Sequence, residues 1–130
     1  MRASPLPKMV INPEGTLTLK TKDHSLVKRL IDLGEISAQE ASTHPQRNVL
    51  YRALGQDDPL KPDLDHHTLQ VGEKMMICSD GLWGVVDAKQ MATIIKQAHS
   101  LDDGTCDLVN AANEAGGPDN ISVILVERLS

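Results

Sequence analysis

The sequence predicts an α+β fold with a mostly antiparallel sheet. Two observations carry this reading. Short runs with strand character stand at 8–12, 16–20, 64–70, 74–79 and 121–126. Segments with helical periodicity are gathered between them, in the order β-β, helical insertion, β-β, α-α, β.

Taking the elements in order, residues 1–7 hold two prolines and no periodicity, and read as a loose end. Thr16-Leu17-Thr18-Leu19-Lys20 alternates as a half-buried strand does. Asn12-Pro13-Glu14-Gly15 before it is a turn sequence, which places the preceding strand at 8–12. Leu26, Val27, Leu30, Ile31 and Leu33 then follow a helical period that Gly34 ends. Ser37-Ala38-Gln39-Glu40 has the capping-box pattern of a second short helix, which His44-Pro45 breaks. Residues 48–54 suit one or two more helical turns closed by Gly55, and 56–63 are a polar loop. A weak strand at 64–70 and a strong one at 74–79 flank Val71-Gly72-Glu73, as in a hairpin. Asp87 caps the next helix, with Met91, Ile94, Ile95 and Ala98 on one face. A further helix at about 104–115 turns Leu108, Val109 and Ala112 inward and stops at Gly116. The last strand, Ile121 to Val126, is rich in β-branched residues.

Composition narrows the function classes. A chain of 130 residues suits one domain. With one Trp, one Tyr and no Phe, the core must be Leu, Ile, Val and Met. The net charge of −5 is interspersed, and no basic stripe speaks for nucleic acid. No apolar run approaches the roughly 18 residues of a membrane span. The opening MRASPLPKMV is too short and polar for a signal peptide. Cys78 in a strand and Cys106 in a helix read as two buried thiols of a reducing cytoplasm.

Two aspartates stand out. Asp80 follows the end of the apolar run Met75-Met76-Ile77-Cys78, and Asp119, in Gly116-Gly117-Pro118-Asp119-Asn120, precedes the last strand. If those strands are antiparallel neighbours, both carboxylates fall at one sheet edge. Close carboxylates repel unless a cation lies between them, and oxygen donors with waters suit Mg²⁺ or Mn²⁺. Asp80 has Gly81 beside it, which lets backbone approach an ion closely, and Asn120 shapes the turn that holds Asp119. Asp-Gly and Pro-Asp-Asn are also common turn sequences, so spacing alone leaves both readings open.

Other polar residues read more simply. Alternation puts His66 and His67 on opposite faces of a strand, so they do not share an ion with Asp63 and Asp65. His24 and His44 suit capping or surface contacts. Arg47 and Arg52, five apart, do not align on one helix face and read as solvated or structural. Cys78 lacks a partner that would make it a nucleophile, and Trp83 reads as a core anchor beside the Asp80 loop.

Ser79-Asp80-Gly81-Leu82-Trp83 and Gly117-Pro118-Asp119-Asn120-Ile121-Ser122-Val123 resemble the two C-terminal motifs of metal-dependent protein phosphatases of the type 2C family. Lys22-Asp23-His24-Ser25-Leu26-Val27 and His44-Pro45-Gln46-Arg47-Asn48-Val49-Leu50-Tyr51-Arg52-Ala53-Leu54-Gly55 resemble the flap region of its bacterial branch. The resemblance implies a partial α-β-β-α sandwich, with a helical flap insertion at about 25–55, forming the C-terminal half of the domain across 1–130. It implies hydrolysis of phosphoserine and phosphothreonine in proteins by a metal-activated water, with Asp80 and Asp119 as ligands of a binuclear Mg²⁺ or Mn²⁺ centre. A cognate serine/threonine kinase and a cytoplasmic setting follow from the same resemblance.

The departures are as informative. The family's N-terminal half supplies a bridging aspartate, an Asp-Gly pair and a phosphate-binding arginine, none of which has a counterpart here. Where a Gly-Asp-Ser-Arg motif normally precedes the first hairpin, this chain has Ala3-Ser4-Pro5-Leu6-Pro7, and Gly84 stands where many members carry an acidic residue. The expectation is therefore an incomplete metal centre, inactive alone, with open strand edges that invite self-association. The alternative is a non-catalytic module that binds phosphoproteins or a partner chain.

Overall fold

The computed structural model describes residues 8–21, 25–47, 49 and 62–130. The expectations placed on residues 1–7, on His24, on Arg52 and the turns near 48–55, and on the loop at 56–61 lie outside the described residues. In chain order the elements are β1 (Lys8–Ile11), β2 (Leu17–Leu19), α1 (Leu26–Asp32), α2 (Ala38–Thr43), β3 (Lys74–Cys78), α3 (Asp80–Trp83), α4 (Ala88–Gln97), α5 (Leu101–Glu114) and β4 (Val123–Glu127). They fall into two compact units: one holds the described parts of 6–21 and 66–130, the other those of 22–65.

The larger unit is a four-stranded antiparallel sheet in the order β2-β1-β3-β4. The β1–β2 hairpin closes as its turn residues dictate. The Asn12 side chain accepts from the Thr16 N–H at 2.7 Å, and Gly15 takes φ +91°, where a side chain would be strained. One sheet face carries Met9, Ile11, Met76 and Cys78, all buried. Leu82, Val86, Met91, Ile95, Leu108 and Ala112 pack with them into one core, so α4 and α5 lie on this face. Each fully buried side chain of this size contributes about 1.5–3 kcal/mol. Gly104 lets α5 approach β4, since a methyl group there would meet Leu125 Cδ1 at 3.1 Å. The alternate face carries Val10, Met75, Ile77, Ile124 and Val126, with Ile124 58% and Val126 46% exposed.

The expected strand at 64–70 does not form. Both edges of β3 are taken, by β1 and β4, which leaves no ladder for a hairpin partner. The Val71-Gly72 turn is present nonetheless, and Arg128 Nη1 ties the preceding segment down through Leu69 O at 2.9 Å. α3 is a further departure, because a helical turn replaces the simple turn expected after the strand. Trp83 is 38% exposed on it, and its neighbour Leu82, fully buried, is the core anchor instead. Cys106 is exposed on α5 rather than buried, while Cys78 is buried, and both thiols are free.

The starts of α2 and α4 follow their capping patterns, and α5 starts earlier than its apolar pattern suggests. Asp87 Oδ1 accepts from the Gln90 N–H at 2.8 Å, and Ser100 Oγ from the Asp103 N–H at 3.0 Å, so α5 begins three residues before its expected start. In the smaller unit, α1 and α2 pack together. Ser25 caps α1, and Gly34, at φ +74°, ends it. Ser37 and Glu40 form the expected capping box, and α2 stops at Thr43 before His44-Pro45. Among the described residues no helix is long and apolar enough to cross a membrane.

Candidate functional site

The site is built by register. Cys78, the last residue of β3, is paired with Val123, the first of β4. The chain leaving β3 and the chain entering β4 therefore meet at one end of the sheet. Asp80 follows the first by two residues, and Asp119 precedes the second by four, so the two loops are adjacent although about forty residues separate them.

Ser79 stitches the loops together. Its N–H donates to Ser122 O at 2.9 Å, continuing the ladder one residue past β3. Its hydroxyl donates to Asn120 O at 3.1 Å and accepts from the Ser122 N–H at 2.9 Å. That hydroxyl makes no bond to the first turn of α3, although Ser79 occupies the cap position. Gly81 closes the approach: a Cβ there would lie 2.1 Å from Asn120 O and 3.4 Å from Asp119 O, so only glycine fits without a backbone shift. Asp119 Oδ1 accepts from the next N–H, that of Asn120, at 2.8 Å. The loop contacts of Asn120 are thus made by its backbone, donating to Asp119 and accepting from Ser79.

Asp80 is half-buried as the first residue of α3, and Asp119 is exposed. Their carboxylates are hard oxygen donors, the class that suits Mg²⁺ or Mn²⁺. As a donor set they are short. Among the described residues no group of three or more His, Cys, Asp or Glu side chains is placed to hold a metal ion. Two carboxylates fit such an ion only with water or further ligands completing its shell.

The other candidates are not drawn into this site. His66 and His67 lie in the irregular segment before the turn, not on opposite strand faces. His67 Nε2 is buried and stands 3.5 Å from Glu73 Oε2, an ion-pair distance longer than a good hydrogen bond. Glu73 is held below the ordinary carboxylate range chiefly by the Gln70 N–H, which donates to Oε2 at 2.8 Å, with a smaller share from His67. His44 Nδ1 accepts from the Gln46 N–H at 3.1 Å and shapes the turn after α2, where Arg47 is exposed. Burial pushes the Cys78 thiol up to about 11, against a weaker opposing contribution from the Trp83 N–H, so it is a poor nucleophile at neutral pH. A groove of about 360 Å³ lies between the β1–β2 turn and α4, lined by Glu14, Leu17, Lys89 and Lys96 among others, and includes neither aspartate.

The structure brings the loops of the two sequence-predicted aspartates together at Gly81, and it adds Ser79, which the local sequence does not single out. Its role depends on partners 41 and 43 residues away, which no local pattern announces.

No family model matches the chain. Over most of its length it is nevertheless similar to bacterial phosphatases. It is 40% identical over 117 residues to a putative type 2C protein phosphatase of Streptococcus pyogenes, covering 90% of this chain and 48% of that protein. It is 42% identical over 114 residues to a serine/threonine phosphatase of Listeria welshimeri, covering 88% and 45% respectively. Among solved structures, a serine/threonine phosphatase of S. agalactiae superposes with a TM-score of 0.91 at 38% identity, over 96% of this chain and 51% of that one. The Mycobacterium tuberculosis serine/threonine phosphatase gives 0.86 at 30% identity, over 97% and 52%. A serine/threonine phosphatase catalytic domain in complex with two manganese ions gives 0.79 at 28% identity, over 94% and 49%. The chain spans about half the length of the relatives it matches.

Proposed function

We propose that this chain, a relative of the bacterial type 2C serine/threonine phosphatases, forms one wall of a metal-dependent phosphatase site. Asp80 and Asp119 are the ligands it contributes to Mg²⁺ or Mn²⁺, and the substrates are phosphoserine and phosphothreonine in proteins. The observation that carries this reading is the β3–β4 rung, which brings two aspartate loops distant in sequence into contact at one sheet end. The phosphatase names of the relatives and the manganese complex of one structural neighbour support it.

A bound divalent ion of this kind activates water and clamps a phosphoryl oxygen. The chain's own residues prepare for it. Asp80 and Asp119 offer carboxylate oxygens from adjacent loops, the donors such an ion takes. Gly81 removes the side chain that would force their loops apart. The two free cysteines suit a reducing compartment, and we place the activity in the cytoplasm, with a serine/threonine kinase producing its substrates.

With two carboxylates as its contribution, the chain by itself should bind the ion weakly and turn over little or no phosphopeptide. Mn²⁺ titration by calorimetry on the wild type and on Asp80→Asn tests the assignment. Heat in the wild type that Asp80→Asn loses is expected. Equal heats would remove Asp80 from any metal role and leave the non-catalytic binding module as the surviving alternative. Mn²⁺-dependent phosphopeptide turnover by the 130-residue chain, abolished in Asp80→Asn, would instead show that its own ligands suffice.

A further inference from the structure

We infer that Ser79 is a positioning residue for the proposed metal pair, its hydroxyl holding the Asp119 loop in register against Asp80. The inference rests on the metal reading above. Serine before a short helix would ordinarily turn its hydroxyl to an N–H of the first turn. Here that bond is not made. The hydroxyl crosses to the other loop, donating to Asn120 O and accepting from the Ser122 N–H. The two bonds flank Ile121 and reach the residue that follows Asp119, so they set where the Asp119 loop ends and how closely it lies to α3.

The geometry leaves little slack. The carbonyl that accepts from Ser79 Oγ is the one a Cβ at Gly81 would strike at 2.1 Å. Ser79 therefore pulls Asn120 toward the backbone of α3, and Gly81 lets it come. The backbone bond from the Ser79 N–H to Ser122 O does not depend on the hydroxyl, so Ser79→Ala frees the loop without dissolving the sheet. The pull acts on Asp119 through Asn120, whose N–H also donates to Asp119 Oδ1 at 2.8 Å. Threonine keeps the donor and acceptor of serine, whereas alanine removes both.

The test uses amide NMR spectra of the full chain as wild type, Ser79→Ala and Ser79→Thr, with free Mn²⁺ as a paramagnetic probe. In the wild type, the amides of Asp80 and Asp119 should broaden together as Mn²⁺ is added. In Ser79→Ala, hydrogen exchange at Ser122 should quicken roughly five-fold, as loss of one hydrogen bond implies. Broadening at Asp119 should fall away from that at Asp80, while the amides of β3 keep their positions. Ser79→Thr should restore joint broadening. Wild-type broadening that Ser79→Ala leaves intact at both aspartates would overturn the positioning role alone. No broadening at either aspartate in the wild type would overturn the metal reading itself, and the positioning role with it.

Discussion

Gly81 and Ser79 illustrate how single residues govern the meeting of two loops. Placing a methyl group 2.1 Å from Asn120 O forces the backbone of one loop to move. Overpacking of this kind typically costs about 1–3 kcal/mol, so Gly81→Ala should lower the unfolding free energy by that much, seen as a lower urea midpoint with an unchanged m-value. The cysteines make a second prediction at this scale. Cys106 is exposed on α5, whereas Cys78 is buried with its thiol raised to about 11. A thiol reagent at neutral pH should therefore titrate Cys106 in the native protein and reach Cys78 only after denaturation. Rapid reaction of both in the native state would contradict the packing of β3. The aspartates are conspicuous in the sequence because Asp80 ends an apolar run beside a glycine and Asp119 stands in a polar turn just before the last strand. Ser79 is not, because a serine before Asp-Gly looks the same whether it caps a helix or crosses to a distant loop.

Among the elements, helix starts were the most legible features, since a cap and its N–H partner lie three residues apart. The capping box of α2 and the Asp87 cap of α4 formed as their local patterns require. Asp87→Ala should cost about 1 kcal/mol of stability, measured by denaturant unfolding, while leaving the α5 cap intact. The strand expected at 64–70 failed for the opposite reason. Apolar content can nominate a strand, but a ladder requires an unoccupied edge, and β3 has none. α3 was hidden because Asp-Gly is a turn sequence, and the buried Leu82 that holds the turn helical declares itself only in the core. The turn before β3 also has a pH signature. Glu73 is held below its ordinary 4.5 by the Gln70 N–H, so its bond stabilises the folded form above that value. The contribution is lost as pH falls through the lower folded pKa. Amide exchange at Gln70 should accelerate there, and Glu73→Gln should abolish that pH dependence.

At the scale of the whole molecule, the fold class was legible and the order of the strands in the sheet was not. The antiparallel sheet and its helices follow from hydrophobic periodicity, which is local. Which strands become neighbours is decided by pairing across the chain: β1, early in the sequence, lies against β3, and the last strand completes the far edge. The chain matches about half the length of its structural neighbours, with TM-scores of 0.91 and 0.86 for two of them, so its path follows theirs over that half. Its sheet nonetheless shows Ile124 and Val126 to solvent on the face away from α4 and α5. The clasp at Ser79 has a further consequence for timing. Its partners, Asn120 and Ser122, are made about forty residues after it, just ahead of β4. During synthesis, Asp80 leaves the ribosome about forty residues before Asp119 and has no companion until β4 docks. Until Val123 pairs with Cys78, nothing holds the two aspartate loops together, so the site exists only once these two distant strands have met.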